Sequence, residues 1–320
     1  MEIIEVTSTP PIDSDSLVLV IGKFDGLHKG HQVILETARE FMAEKDKLAV
    51  LSFSEHPQWV LRQDPNFEKK LTPEDDKLRI LKEFGVDRYY LVKFTKEYAK
   101  ISAKEFILDH ISKLNVKRIV VGEGFHFGKG SESSTEELKS LCAQIDVSVT
   151  VVPLIMENGS EVSSSTIRSL VADGEMEAIQ ARLGRPYTVT GTVIHGKKLG
   201  RELGFPTINL GGTDSYVFPK PGVYMGTVEI HDGNFGQTNW NVLISAGYRP
   251  TVNGTGYLIE AYLLDFSGDL YGATVTVSFL KYLRGEIKFS GLEPLIAQMT
   301  NDKIEAQRLF QEMSLLHNSR

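Results

Sequence analysis

The chain has 320 residues, 41% of them hydrophobic and 24% charged, with a formal net charge of −7; this is the balance of a soluble globular protein long enough for two domains of about 100–200 residues. The acidic balance without a basic stripe excludes an electrostatic nucleic-acid binder, and one cysteine, Cys142, excludes an internal disulfide or a multi-cysteine zinc centre. No basic-then-apolar leader and no apolar run near about 18 residues is present, so a cytoplasmic protein without a membrane partner is expected.

In chain order, the apolar run at residues 16–21 reads as a strand. It leads into Gly22-Lys23-Phe24-Asp25-Gly26-Leu27-His28-Lys29-Gly30-His31 and then into a helical pattern over 32–42. The glycines let backbone amides approach a ligand closely, and the helix start adds partial positive charge. His28 and His31, three apart, share a helix face. A nucleoside triphosphate is the natural occupant of such a turn. A zinc reading of the histidines needs a third ligand from His56 or Asp25 and leaves the glycines unexplained. The bland alternative is a surface turn with two incidental histidines.

Further apolar runs fall at 48–53, 89–92, 119–121 and 147–152, separated by helical patterns. Thr72-Pro73 reads as the N-cap and first residue of a helix that Gly85 stops. Ser102-Ala103-Lys104-Glu105 has capping-box spacing and opens a helix carrying Phe106, Ile107, His110, Ile111 and Leu114. Cys142 lies on an apolar helical stripe with Leu138, Leu141 and Ile145, a core position. Strands alternating with helices imply an open parallel sheet whose ligands bind at the carboxyl ends of the strands. From Tyr187 the pattern changes to short strands at 187–194, 223–230, 240–245, 257–264 and 274–280, with glycine and proline turns between them, an antiparallel barrel or sandwich. A helix from 292 to about 313 ends the chain. The boundary near Leu183-Gly184-Arg185-Pro186 divides it into domains 1–185 and 186–320.

The second half holds another chemical cluster, Gly200-Arg201-Glu202-Leu203-Gly204-Phe205-Pro206-Thr207-Ile208-Asn209. In an extended segment Thr207 and Asn209 face the same side, and both offer oxygens of the kind Mg²⁺ takes beside phosphate. Glu260, on an alternating strand, is the candidate base; its plain alternative is a charge on the solvent face. Gly196-Lys197-Lys198-Leu199-Gly200 reads as a flap over phosphates or as a charged hairpin.

These residues also carry a resemblance. The pattern G-x-F-D-G-x-H-x-G-H resembles the signature of nucleotidyltransferases, the group that includes aminoacyl-tRNA synthetases and small adenylyl- and cytidylyltransferases. Ser52-Phe53-Ser54-Glu55-His56-Pro57, the glycine-rich stretch 121–130, VSSSTIR at 162–168, Leu183-Gly184-Arg185-Pro186-Tyr187, and the motif G-R-x-L-G-F-P-T-x-N at 200–209 narrow it. So does the Glu260 strand with Gly268-Asp269-Leu270-Tyr271-Gly272 after it. Together they resemble the bacterial bifunctional riboflavin kinase/FAD synthetase family through nearly the whole chain.

The resemblance implies a Rossmann-like nucleotidyltransferase domain that adenylylates FMN with ATP, giving FAD and pyrophosphate. Gly22, Phe24, Asp25, Gly26 and Arg168 would meet nucleotide phosphates, and His28 and His31 would stabilise developing charge. His56, Gly124 and Phe125 would meet the flavin. It further implies a barrel that phosphorylates riboflavin with MgATP, using Glu260 as base, Thr207 and Asn209 at the metal, and Gly196 and Lys197 at phosphate. Arg284 of the L-R-x-E stretch would meet the flavin; as an alternative it pairs with Glu286. The implied partners are ATP, riboflavin and FMN, with the oligomeric state left open. The chain departs from the family pattern at Gly124 (Asp or Asn), His126 (Arg), Ser131 (Arg), Ser165 (Thr) and Ser245 (Asn). Two alternatives stay open: a riboflavin kinase with an altered or inactive adenylyltransferase, and a non-catalytic flavin-sensing regulator.

Overall fold

The apolar runs of the first half become strands of one parallel sheet. In the computed structural model, which describes residues 1–196, 200, 203–231, 238–251 and 254–318, these are β1 (Glu2–Val6), β2 (Asp13–Ile21), β3 (Lys47–Phe53), β4 (Arg88–Val92), β5 (Leu114–Gly122) and β6 (Ser148–Val152). Their order is β1-β4-β3-β2-β5-β6, with every neighbouring pair parallel. Side chains alternate between two buried faces. Leu17, Leu19, Ala49 and Leu51 pack on one face with Ile107 and Leu138. Val18, Val20, Leu48 and Val50 pack on the other with Leu35, Ala38, Ile80 and Leu81. Cys142 is fully buried in the first of these cores.

The helices here are α1 (Lys29–Glu40), α2 (Pro57–Arg62), α3 (Glu74–Glu83), α4 (Ala103–Glu105) and α5 (Thr135–Ala143). The capping box forms as read: the Ser102 amide donates to Glu105 Oε2 at 2.8 Å and the Glu105 amide to Ser102 Oγ at 3.2 Å. The helix beyond it does not stay regular. The chain widens into a π turn at Phe106–His110, tightens to a 3₁₀ turn at Ile111–Lys113, and Leu114 already belongs to β5. Pro73, not Thr72, caps α3, while Gly85 stops it as expected in the left-handed region (φ +69°). A short hairpin of β7 (Met156–Glu157) and β8 (Ser160–Glu161) precedes α6 (Ser164–Asp173) and α7 (Met176–Leu183).

The second half is a closed antiparallel barrel, which resolves the choice between barrel and sandwich. Its strands are β9 (Tyr187–Ile194), β10 (Thr207–Gly211), β11 (Gly222–Ile230), β12 (Asn239–Thr251), β13 (Gly254–Leu263) and β14 (Thr274–Arg284), closing in the order β10-β13-β12-β11-β14-β9. The terminal helix α8 (Leu292–Asn318) lays Ala306, Leu309 and Phe310 on Met225, Leu243 and Tyr262 of the barrel's outer wall. Contacts divide the chain into compact units Met1–Thr166 and Ile167–Arg320. Between that division and the change of pattern at 185/186 lies α7, which packs on β14 and β9.

Candidate active sites

The Gly22 amide donates to the Leu51 carbonyl at 3.1 Å, carrying the β2–β3 pairing one residue past β2. The chain then turns through left-handed residues Phe24 (φ +54°), Gly26 (φ +88°) and Leu27 (φ +44°). Left-handed backbone at a non-glycine costs of order 1–3 kcal/mol, and complete burial of Phe24 and Leu27 offsets that strain by packing. The Phe24 ring lies 3.1 Å from where a Cβ on Gly22 would sit, so Gly22 makes room for this ring.

His28 caps α1, its Nδ1 accepting from the His31 amide at 3.4 Å. The two imidazoles stack with centroids 3.7 Å apart, and the Phe24 ring packs 5.0 Å from His31. Gly30 leaves space for His28: a Cβ there would stand 3.1 Å from its Nδ1. The structure thus brings His28 and His31 together at the start of α1, where helix amides and dipole favour an anion.

Asp25 anchors the turn. Its Oδ1 accepts from the amides of Leu71 at 2.8 Å and Thr72 at 3.2 Å, and its carbonyl accepts from Ser164 Oγ at 2.7 Å. The Ser164 bond ties the VSSSTIR element to the turn. Ser163 Oγ accepts from the Thr166 amide at 3.3 Å at the start of α6, and Arg168 follows Ser164 by four residues on the same helix face. Ser165 is exposed.

The loop after β3 carries His56, whose Nδ1 accepts from the Gln58 amide at 3.1 Å and whose ring stacks on Phe67 at 4.0 Å. Two lysines hold that loop: Lys70 donates to the Ser54 carbonyl at 2.9 Å and Lys23 to the Glu55 carbonyl at 3.0 Å. Sequence reasoning passed over Lys23, because a lone lysine inside a glycine motif reads as a surface charge. After β5, Gly124 is exposed with open space around it. Phe125 stacks on Phe127 (5.7 Å, 14°), which is buried against Phe106. His126 and Ser131 are exposed.

In the barrel, strand register assembles the second site. Asn209 lies opposite Glu260 across β10 and β13, Glu260 opposite Ser245, Ser245 opposite Val223, and Val223 opposite Arg284. Residues directly opposite share a face, so Asn209, Glu260, Ser245 and Arg284 stand in one row. Leu210, Ile259 and Ala261 turn inward and are buried; Thr207, Asn209 and Glu260 alternate with them and are part-exposed. Thr207 begins the next row, opposite Tyr262, against which the Phe205 ring packs edge-on at 5.3 Å.

Gly196 backs onto this row, since a Cβ there would collide with the Asn209 carboxamide. Lys197, with Lys198 and Leu199 of the expected flap, lies outside the described residues. Arg284 makes a bidentate pair with Asp302 of α8, Nε to Oδ1 at 2.9 Å and Nη2 to Oδ2 at 2.6 Å. Glu286, its alternative partner, pairs with Arg249. Arg249 also reaches Ser245 Oγ at 3.4 Å, and Gly247 leaves room for that pair. In the D-L-Y-G turn the Tyr271 amide donates to Asp269 Oδ1 at 3.0 Å, and the Tyr271 ring lies 3.8 Å from that of His195. A cleft of about 870 Å³ is lined by Trp240, Leu264 and Phe310 and by none of these chemical residues; another, of about 320 Å³, includes Arg284 and Asp302.

The FAD synthetase family pattern matches residues 11–166 and the riboflavin kinase pattern residues 183–310. The bifunctional riboflavin kinase/FMN adenylyltransferase of Bacillus subtilis is 36% identical over 302 residues, covering 92% of this chain and 93% of its own. That of Escherichia coli K12 is 34% identical over the same share of each. A Listeria monocytogenes FAD synthetase is 40% identical over 70% of this chain and 86% of its own. A solved structure titled as a macrolide-efflux protein from Streptococcus pneumoniae is 31% identical, with a TM-score of 0.84 over 95% of this chain and 98% of its own. Among the described residues no helix is long and apolar enough to cross a membrane. On the relatives matched over nearly its whole length, the chain belongs to the bifunctional riboflavin kinase/FMN adenylyltransferase family.

Proposed function

We infer that this chain converts riboflavin to FMN in its barrel and FMN to FAD in its N-terminal domain, using ATP in both steps, with 1–185 and 186–320 as the functional domains. The observation that carries the kinase reading is the register bringing Asn209 against Glu260, with Thr207 on the same face. Glu260 accepts the proton of the ribityl 5′-hydroxyl as its oxygen attacks the γ-phosphorus of ATP and ADP leaves; such transfer depends mainly on positioning and charge neutralisation. Thr207 and Asn209 fit Mg²⁺ by their neutral oxygen donors, and Gly196 gives the Asn209 carboxamide its space. When bound, the ion neutralises phosphate charge. Arg284, held by Asp302 beside the same row, is oriented for the flavin.

In the N-terminal domain a phosphate oxygen of FMN attacks the α-phosphorus of ATP and pyrophosphate leaves. The α1 amides with His28 and His31 stabilise the departing charge, Gly22, Gly26 and Phe24 shape the turn, and Arg168 meets phosphate. His56 and Phe125, with the open Gly124 between strand end and loop, line the flavin side. An enzyme consuming ATP in both steps draws on the cytoplasmic nucleotide pool.

Separating the products of riboflavin, ATP and Mg²⁺ tests both halves. Glu260→Gln is expected to abolish FMN formation while still converting supplied FMN to FAD. His28→Ala is expected to stop at FMN. FMN formation unchanged in Glu260→Gln rejects the base, and FAD formation unchanged in His28→Ala rejects the turn.

A further inference from the structure

We propose that Lys23 is the built-in cation of the N-terminal site, whose counter-ion is the polyphosphate of the bound nucleotide; this rests on the reading of the Gly22–His31 turn as the ATP site. Lys23 follows the carboxyl end of β2 by two residues, and its amine reaches the loop after β3, donating to the Glu55 carbonyl at 3.0 Å. Its own carbonyl accepts from Ser52 Oγ at 3.2 Å. The side chain therefore bridges the carboxyl ends of two adjacent central strands, where ligands of open parallel sheets bind.

Lys23 is part-buried, yet among the described residues no carboxylate comes within the 4.0 Å of an ion pair. Nearby charges are engaged elsewhere: Asp25 with the Leu71 and Thr72 amides, Glu55 with Lys70, and Lys77 with Glu74. A buried ammonium is costly unless paired. Burial, the largest influence, depresses Lys23 to about 7, with Lys77 and Lys70 adding to the depression and Asp25 and Glu55 opposing it. A group of this kind, placed beside an anion-binding helix start, is completed by the arrival of phosphate. An arriving polyanion favours the charged amine, so nucleotide binding takes up a proton near neutral pH.

The test uses the full chain supplied with FMN and ATP, with its riboflavin kinase activity and thermal unfolding as controls for folding. Lys23→Met is expected to raise the ATP Kd, measured by calorimetry, and to lower adenylylation kcat/KM about 10- to 100-fold, the range of one charge-assisted hydrogen bond. The natural chain is expected to lose ATP affinity as pH rises through about 7 and to take up protons on binding, seen as a dependence of heat on buffer ionisation. Lys23→Arg, which stays charged, is expected to restore affinity and to remove that pH limb. Lys23→Met with natural ATP affinity, or Lys23→Arg as impaired as Lys23→Met, overturns the proposal. His28→Ala, run in parallel, separates the two failures: if it too leaves ATP binding and adenylylation intact, the turn itself is not the nucleotide site.

Discussion

Gly196→Ala separates catalytic positioning from stability in the kinase site. A methyl group built on Gly196 lies 2.6 Å from Asn209 Cγ and 2.7 Å from its Oδ1, where ordinary contact is 3.4–4 Å. The carboxamide must therefore withdraw by roughly 1 Å, and a misplacement of that size costs about 10²-fold in rate. The displaced group is the free end of a side chain, and Gly196 is not among the residues with positive φ, so alanine suits the backbone and stability changes by less than about 1 kcal/mol. Steady-state FMN formation, read with a thermal melt and with FAD formation from supplied FMN, gives the answer. The expected result is a kinase kcat/KM down about 10²-fold, an unchanged melt and unchanged adenylylation. Natural kinase kinetics in Gly196→Ala refutes the role given to Asn209.

Asp302→Ala leaves Arg284 without its bidentate partner. Asp302 is 8% and Arg284 21% exposed at the side chain, and Arg284 keeps the Gly285 carbonyl, so the loss is about 2–4 kcal/mol, below the full figure for a buried pair; urea unfolding measures it, together with a raised KM for riboflavin. Asp25→Ala strips the acceptor from the amides of the buried residues Leu71 and Thr72 and is expected to destabilise the N-terminal unit by about 2–4 kcal/mol, measured as earlier unfolding of that unit with kinase activity retained. Asp46 is depressed from 3.8 to about 2, first by the Ser16 hydroxyl, then by the Ala43 amide and Lys117. A carboxylate lowered on folding contributes stability above its unfolded value and loses it as pH falls from about 4 to about 2. With a discount for the solvent-exposed Lys117 partner this is about 1–2 kcal/mol; Asp46→Asn flattens that part of an acid denaturation curve, and an unchanged curve refutes it.

Legibility followed physical cause. The central strands β2, β3 and β5 were plain because both faces of a helix-covered parallel sheet are buried, which writes continuous apolar runs. The edge strand β1 went unread: residues 2–6 set two glutamates among three apolar residues, without a two-residue period, at a mostly exposed margin, and pairing with β4 orders them. The Ser102 capping box was legible because it is local, whereas the π turn after it was not, since packing of Phe106, Ile107 and His110 overrides helical spacing.

For the sites, motif spacing identified His28 and His31 as neighbours and Thr207 and Asn209 as a same-side pair, while the two chemistries were implied by the family resemblance these motifs carry. Those relations are separated by two or three residues, so backbone geometry settles them before folding. Other relations join residues far apart in sequence, and no local rule reaches them. Barrel closure set Glu260 against Asn209, α8 brought Asp302 to Arg284, Ser164 was tied to Asp25, and the Asp25 carboxylate was turned to backbone amides. That Lys23 is part-buried and meets no carboxylate among the described residues is likewise a property of neighbouring strand ends and loops, set only when the sheet and its loops pack together.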